Sequence, residues 1–359
     1  MPENFELPTR ILFGENSLSR LTEVCARKNK PLLICGNHFL KTNEFRILDE
    51  NFSNLEILSG ISPEPDVSEI EDYWSSIKDK KVSRIIAIGG GSVLDAAKVL
   101  AAKFTNRKDN FRNFLGTENV KKKCLKLVAV PTTSGSGSEV TKYSVIKDNG
   151  IKRVVISGKI YPETAIVDPL LTLSASRELT THTGIDALSH NLESYMSKSS
   201  TMFSEIYATE GSRLVLKWIE KSCKNGKDKE ARRALSIASV FGGIAITNAP
   251  TGIVHLLSKI LDSFNEVPHG LGNAVFLPYA MKYWEGNKLQ SLEIELGIEN
   301  LPEHLLKLND NLGIPRFGKF GIDTKEILKR TKENMSLLVD PSGLGIKPEN
   351  LERMIEECM

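Results

Sequence analysis

The chain has 359 residues, enough for two domains of ordinary size with a buried core in each, and its composition (40% hydrophobic, 26% charged) is that of a globular protein. A formal net charge of +2 is too small to imply a nucleic-acid or anionic-membrane partner, and the basic stretches VKKKC (120–124) and KSCKNGKDKE (221–230) read as solvated loops. Five scattered cysteines, a polar N-terminus and the lack of any apolar run long enough to span a bilayer point to reduced thiols in a cytoplasmic protein.

In chain order, PLLICG (31–36), RIIAIGGG (84–91), LKLVAVPTT (125–133), RVVISG (153–158) and TAIVDP (164–169) read as buried strands, each closed by glycine, proline or polar residues. The alanines and leucines of SVLDAAKVLAAKF, between the second and third of these, read as a helix. Near-continuous apolar strands alternating with helices predict a mostly parallel sheet covered on both faces. After about residue 175 the β-branched runs stop and long helical stretches such as ATEGSRLVLKWIEKSC and ARRALSIASVFGGIAIT take over. The expected organisation is an α/β dinucleotide-binding domain over 1–175 and an all-α, metal-binding domain over 176–359.

Three stretches carry chemistry. In IGGGSVLDAAK (88–98), Gly89, Gly90 and Gly91 sit between a strand and a helix that begins near Ser92. Glycines let a ligand approach the backbone, and the amides and dipole at a helix start favour an anion such as a pyrophosphate. A ligand-free tight turn would use the same glycines. The second stretch, PTTSGSGSEVT (131–141), runs from a strand end into a loop of hydroxyls and glycines. Thr132, Thr133 and Ser136 offer donors there, which suits the other wall of a nucleotide site at the carboxyl ends of the strands.

The third is TGIDALSHNLESY (183–195), where Asp186 and His190, four residues apart, project from one helical face. Alone, such a pair is most often a salt bridge or a solvent-facing pair. GIVHLLSKILDSFNEVPHGLGN (252–273) adds His255 on an apolar helix and His269 after Pro268. A buried imidazole without a partner is costly, and a metal satisfies it, so Asp186 with three imidazoles is a complete ligand set for a divalent transition metal. His38, His182 and His304 have less telling surroundings.

The ordered motifs GGGSVLDAAK, PTTSGSGSEVT, GIDALSHNLESY, VH and PHG resemble those of the iron-containing (group III) alcohol dehydrogenases over most of residues 5 to 285. The resemblance implies a dehydroquinate-synthase-like fold and a homodimer. It implies that Asp186, His190, His255 and His269 are the metal ligands, with Fe(II) or Zn(II) as the ion. It further implies that Gly90, Gly91, Ser92 and Asp95 lie around the phosphates of NAD or NADP, with Thr132, Thr133, Thr141 and Lys152 as further cofactor contacts. Arg153, beside Lys152, is an alternative for that last role. The implied reaction is hydride transfer between NAD(P) and a small-molecule primary alcohol or aldehyde. A lyase of the dehydroquinate-synthase type would share the lobes but uses a glutamate with two histidines.

Two departures from the family pattern matter. Many members carry a histidine one helical turn after the first metal-ligating histidine of the second lobe; here that position is Lys259, a candidate catalytic or anion-contacting residue that hints at a sugar-acid, phosphonate or phosphate substrate. After the first of the strands above, CGNH places Gly36, Asn37 and His38 where NAD-using members carry an acidic residue for the ribose hydroxyls, so NADP is open as well as NAD.

Overall fold

The computed structural model describes residues 4–25, 30–52, 54–265, 267–284, 286–334 and 346–358. The chain divides into two compact units. One comprises Leu7–Thr133 and Ser138–Thr172; the other takes the chain from Leu173 onward, the N-terminal segment through Glu6, and the four residues Ser134–Gly137.

The strands of the first unit are β1 (Arg10–Phe13), β2 (Pro31–Cys35), β3 (Glu56–Ser59), β4 (Arg84–Gly89), β5 (Gly116–Thr117), β6 (Leu127–Pro131), β7 (Tyr143–Asp148), β8 (Ile151–Ile156) and β9 (Thr164–Val167). Six of them form one sheet in the order β1-β9-β6-β4-β2-β3, every pair parallel. Helices α1 (Leu21–Val24), α2 (Asn43–Asn51), α3 (Val67–Ile77) and α4 (Gly91–Thr105) belong to the same unit.

The twofold alternation of a strand sends Ile85, Ala87, Leu127 and Ala129 into one apolar cluster and Ile86, Ile88, Val128 and Val130 into another, one on each face. That is why β4 and β6 read as unbroken apolar runs. Each isoleucine, leucine and valine among them contributes roughly 1.5–3 kcal/mol by leaving water. The register opposes Gly89 to Pro131, so the glycine turn and the hydroxyl-rich loop leave the sheet side by side.

One strand departs from expectation. The run RVVISG lies outside the parallel sheet, because β8 pairs antiparallel with β7 in a small sheet of order β5-β8-β7. Asn149 (φ 52°) and Gly150 (φ 75°) form the intervening turn, and a two-residue connection can join only antiparallel strands.

The second unit is helical: α5 (Arg177–Met196), α6 (Met202–Lys224), α7 (Lys229–Asn248), α8 (Ile253–Asn265), α9 (His269–Tyr283), α10 (Lys288–Leu296), α11 (Leu301–Leu312), α12 (Thr324–Asn334) and α13 (Pro348–Glu357). The Ser176 hydroxyl caps α5 by accepting from the Leu179 amide, and α10 and α11 both end on glycines with left-handed φ, Gly297 and Gly313. From Gly184 to Met196 every residue of α5 is buried, so this helix forms the centre of the unit and its polar side chains must find partners inside it. Among the described residues no single helix is long and apolar enough to cross a membrane.

Candidate functional site

In the helical unit Asp186 and His190 lie one turn apart on α5, His255 lies in the first turn of α8, and His269 opens α9 directly after Pro268. Close approach of α9 to α5 depends on Gly270: a Cβ there would stand 1.9 Å from the His182 carbonyl oxygen, so any larger residue would push His269 away. Ligand atoms of Asp186, His255 and His269 all fall within 4.8 Å of one another. Asp186 Oδ1 is 3.8 Å from His255 Nε2, 3.8 Å from His269 Nε2 and 3.9 Å from His190 Nε2. The His190 ring stacks on that of His255 with centroids 4.6 Å apart. Two ligands each about 2.1 Å from one metal can stand at most about 4.2 Å apart; the three carboxylate-to-imidazole separations satisfy that bound, while His190 lies outside the group whose donor atoms are all within 4.8 Å of one another.

The outer nitrogens of the three rings settle which atoms face inward. His190 Nδ1 is 3.3 Å from the Gly135 carbonyl oxygen, which can only accept, so Nδ1 carries the proton. The Ser258 hydroxyl donates to the His269 carbonyl oxygen at 2.7 Å, and with its proton so committed it accepts from His269 Nδ1 at 3.0 Å. His255 Nδ1 donates to the Glu193 carboxylate. All three rings therefore turn an unprotonated Nε2 toward Asp186, the form a metal requires.

The result is a set of three lone pairs and a carboxylate, acceptors facing acceptors, with Asp186, His190 and His255 buried and His269 partly exposed. The amide of the fully buried Asn273 supplies a donor, reaching Asp186 Oδ1 at 2.9 Å and standing 3.4 and 3.5 Å from His255 Nε2 and His269 Nε2. A divalent cation would satisfy the acceptors of Asp186, His255 and His269 together, with His190 Nε2 beside them at 3.9 Å from Asp186 Oδ1, so the residues present fit a metal of the nitrogen-and-oxygen-binding kind. Glu193, fully buried on the same helix, also accepts from the amides of Gly252 and Val254, and burial pushes its carboxyl up to about 7. Lys259, one turn beyond His255, is half-buried on α8.

In the α/β unit the glycine turn and the hydroxyl loop meet where the sequence places the cofactor. Gly90 caps α4 with no side chain of its own, and a Cβ on it would sit 3.4 Å from Thr133 Oγ1. The Thr132 amide donates to the Gly89 carbonyl oxygen at 2.9 Å. Gly91 and Ser92 form the first turn of α4, half-exposed, and the Ser92 hydroxyl accepts from the Glu64 amide at 3.0 Å. Asn37 is exposed beyond the end of β2, close to Gly60.

Lys152 pairs with the Glu64 carboxylate at 2.6 Å, and Lys147 does so at 3.1 Å. Burial works against the Glu64 charge but the two ammoniums outweigh it and hold its pKa below the usual value. Asp95 and Thr141 face inward. Asp95 accepts from the Ser138 hydroxyl at 2.6 Å and the Val145 amide at 3.0 Å, while fully buried Lys98 donates to Thr141 O and Oγ1 and to Tyr143 O. Burial raises the Asp95 pKa and lowers that of Lys98 to about 8. These groups brace the loop that carries the threonines.

Sequence reasoning missed Glu193, Asn273, Glu64 and Lys98. Two of them left a signal: Glu193 lies seven residues after Asp186 on the same helical face, and Asn273 lies one turn after His269.

A dinucleotide-type sheet in one unit and a cation-type cluster in the other are the two parts that a nicotinamide-dependent metalloenzyme needs. The sequence model for iron-containing alcohol dehydrogenase matches residues 8–169, and that for the Fe-containing alcohol dehydrogenase family, C-terminal, matches residues 180–355. An alcohol dehydrogenase of Thermococcus barophilus is 32% identical over 98% of this chain and 96% of its own. An NADPH-dependent butanol dehydrogenase of Clostridium saccharobutylicum is 28% identical over 99% and 97%. An iron-containing alcohol dehydrogenase structure from Thermococcus thioreducens superposes with a TM-score of 0.88 at 30% identity, covering 99% of both chains. The chain belongs to the iron-containing alcohol dehydrogenase family. It is an NAD(P)-dependent oxidoreductase acting on small molecules.

Proposed function

We propose that this enzyme interconverts a primary alcohol and its aldehyde, with Asp186, His190, His255 and His269 as the metal ligands. In this reading residues 176–359 are the metal-binding domain and residues 1–175 the dinucleotide-binding domain. The observation that carries the proposal is the inward-facing set of three Nε2 lone pairs around the Asp186 carboxylate. A divalent metal bound there would polarise the substrate oxygen while the nicotinamide exchanges the hydride.

The chain's own residues do the rest. Gly135, Glu193 and Ser258 keep the three imidazoles in the required tautomer, and burial of α5 shields Asp186 and His190 from bulk water. Gly90, Gly91 and Ser92 offer an anion the start of α4, with Thr132 and Thr133 beside it and Lys152 as the adjacent cation. Asp95 and Thr141 support that site from beneath, through Lys98 and Ser138. Asn37 in place of a carboxylate beyond β2 removes the charge that would repel a 2′-phosphate, which supports use of NADP as well as NAD. Iron(II) is the favoured ion, and the mixed donor set also accommodates zinc. Lys259 is assigned as a contact for an anionic group on the substrate.

The test is anaerobic purification with metal analysis, followed by oxidation of NADH and NADPH over aldehydes with and without a carboxylate, phosphonate or phosphate. Turnover should depend on bound metal, and Lys259→Gln should raise KM for the anionic aldehydes more than for the neutral ones. Full activity in metal-stripped protein would end the proposal. An unchanged KM for every anionic aldehyde would end the assignment of Lys259.

A further inference from the structure

We propose that Glu193 is a positioning residue for the metal, holding His255 in the tautomer that turns Nε2 toward Asp186. The inference rests on the reading of Asp186, His190, His255 and His269 as metal ligands.

The two carboxylate oxygens of Glu193 have separate tasks. Oε1 accepts from the Gly252 amide at 3.1 Å and the Val254 amide at 2.8 Å, at the entry to α8. Oε2 faces His255 Nδ1. One fully buried side chain thus ties the helix that carries Asp186 and His190 to the helix that carries His255. It is also the one carboxyl group among the three outer imidazole contacts, since His190 has a carbonyl and His269 a hydroxyl. A carboxylate that accepts from Nδ1–H fixes the tautomer of a metal-binding imidazole and makes Nε2 the better electron-pair donor.

This division of labour makes Glu193→Gln an informative substitution. With its oxygen in the Oε1 position, glutamine still accepts from both backbone amides and keeps the junction of α5 and α8. Its NH2 then faces His255 Nδ1, donor against donor, and the imidazole must move its proton to Nε2, where it blocks metal binding. The opposite orientation would set the NH2 against two backbone amides and lose both of those bonds, so it is the costlier arrangement.

The experiment uses the metal-free full-length enzyme and Co2+ as the probe, with affinity read by chelator competition and from the visible absorption of the bound ion. Glu193→Gln should bind Co2+ roughly 10–100-fold more weakly than wild type, with NADH binding by fluorescence titration unchanged. Histidine-labelled protein should show His255 as Nδ1–H in wild type and Nε2–H in the variant by long-range 1H–15N correlation. Equal Co2+ affinity in the two proteins would overturn the role of Glu193 while leaving the metal reading in place. Failure of wild type to take up Co2+ would overturn the metal reading and this proposal with it. If the variant does not fold, the wild-type tautomer decides the matter, and a proton on His255 Nε2 overturns the inference.

Discussion

Each unit buries a cluster of ionisable side chains, and the two clusters are built on opposite terms. In the α/β unit Asp95, Lys98, Ser138, Glu139 and Thr141 close on themselves: the buried ammonium of Lys98 is matched by carbonyl and hydroxyl acceptors, with two carboxylates nearby. In the helical unit Asp186, His190, His255 and His269 turn acceptors toward one another, and Asn273 supplies the donor among them. Burial costs both clusters, so the difference lies in where the compensation comes from. The first is complete within the chain and works as a brace. On the proposed reading the second becomes complete with a cation and works as a site.

The sharpest way to break this contrast is His255→Ala. It should abolish bound metal and turnover together, leave NAD(P)H binding in place, and be read by metal analysis beside a fluorescence titration. Retained activity would show that the helical cluster is only another brace.

Lys98→Met asks the same of the other cluster. Removing the cation leaves the carbonyls of Thr141 and Tyr143 without their donor and Asp95 without its nearby charge. Loss of one partner of a buried ionic network typically costs about 3–5 kcal/mol, to be read by urea denaturation. A cost below about 1 kcal/mol would mean that the cluster does not brace the loop.

Glu139→Gln should produce the smallest effect, and its sign depends on pH. Burial raises the Glu139 pKa from 4.5 to about 7, so between these values the folded state holds a proton that the unfolded chain has released. The stability linked to this group is complete below pH 4.5 and falls as pH rises toward 7, by an amount on the order of 3 kcal/mol. The variant should lose that slope and so gain on wild type between pH 5 and pH 8, measured as the difference in urea midpoints. A gap between variant and wild type that stays constant across the range would remove the buried charge as its cause.

Much of this was legible in the chain itself, for a local reason. The strands of the parallel sheet showed as apolar runs because both faces are covered, and the glycine turn after Ile88 showed because strand, glycines and helix are contiguous. Asp186 and His190 were legible as a pair because four residues make one helical turn. Asp95 illustrates the opposite case. Its position in the motif groups it with the phosphate contacts, but its oxygens are taken by Ser138 and Val145, 43 and 50 residues away. Glu193 escaped notice because its partner His255 lies 62 residues on. RVVISG reads locally as one more buried strand, and its place in the small antiparallel pairing is marked only by the Asn149–Gly150 turn before it.

By itself, then, the sequence determined the periodicities, the turns and the kinds of chemical group available, because these depend on neighbours a few residues apart. Which buried polar groups neutralise one another and which are held open for a ligand was decided only by tertiary structure. A hydrogen bond or ion pair is made between atoms in contact, and in this chain those atoms come from helices and loops tens of residues apart.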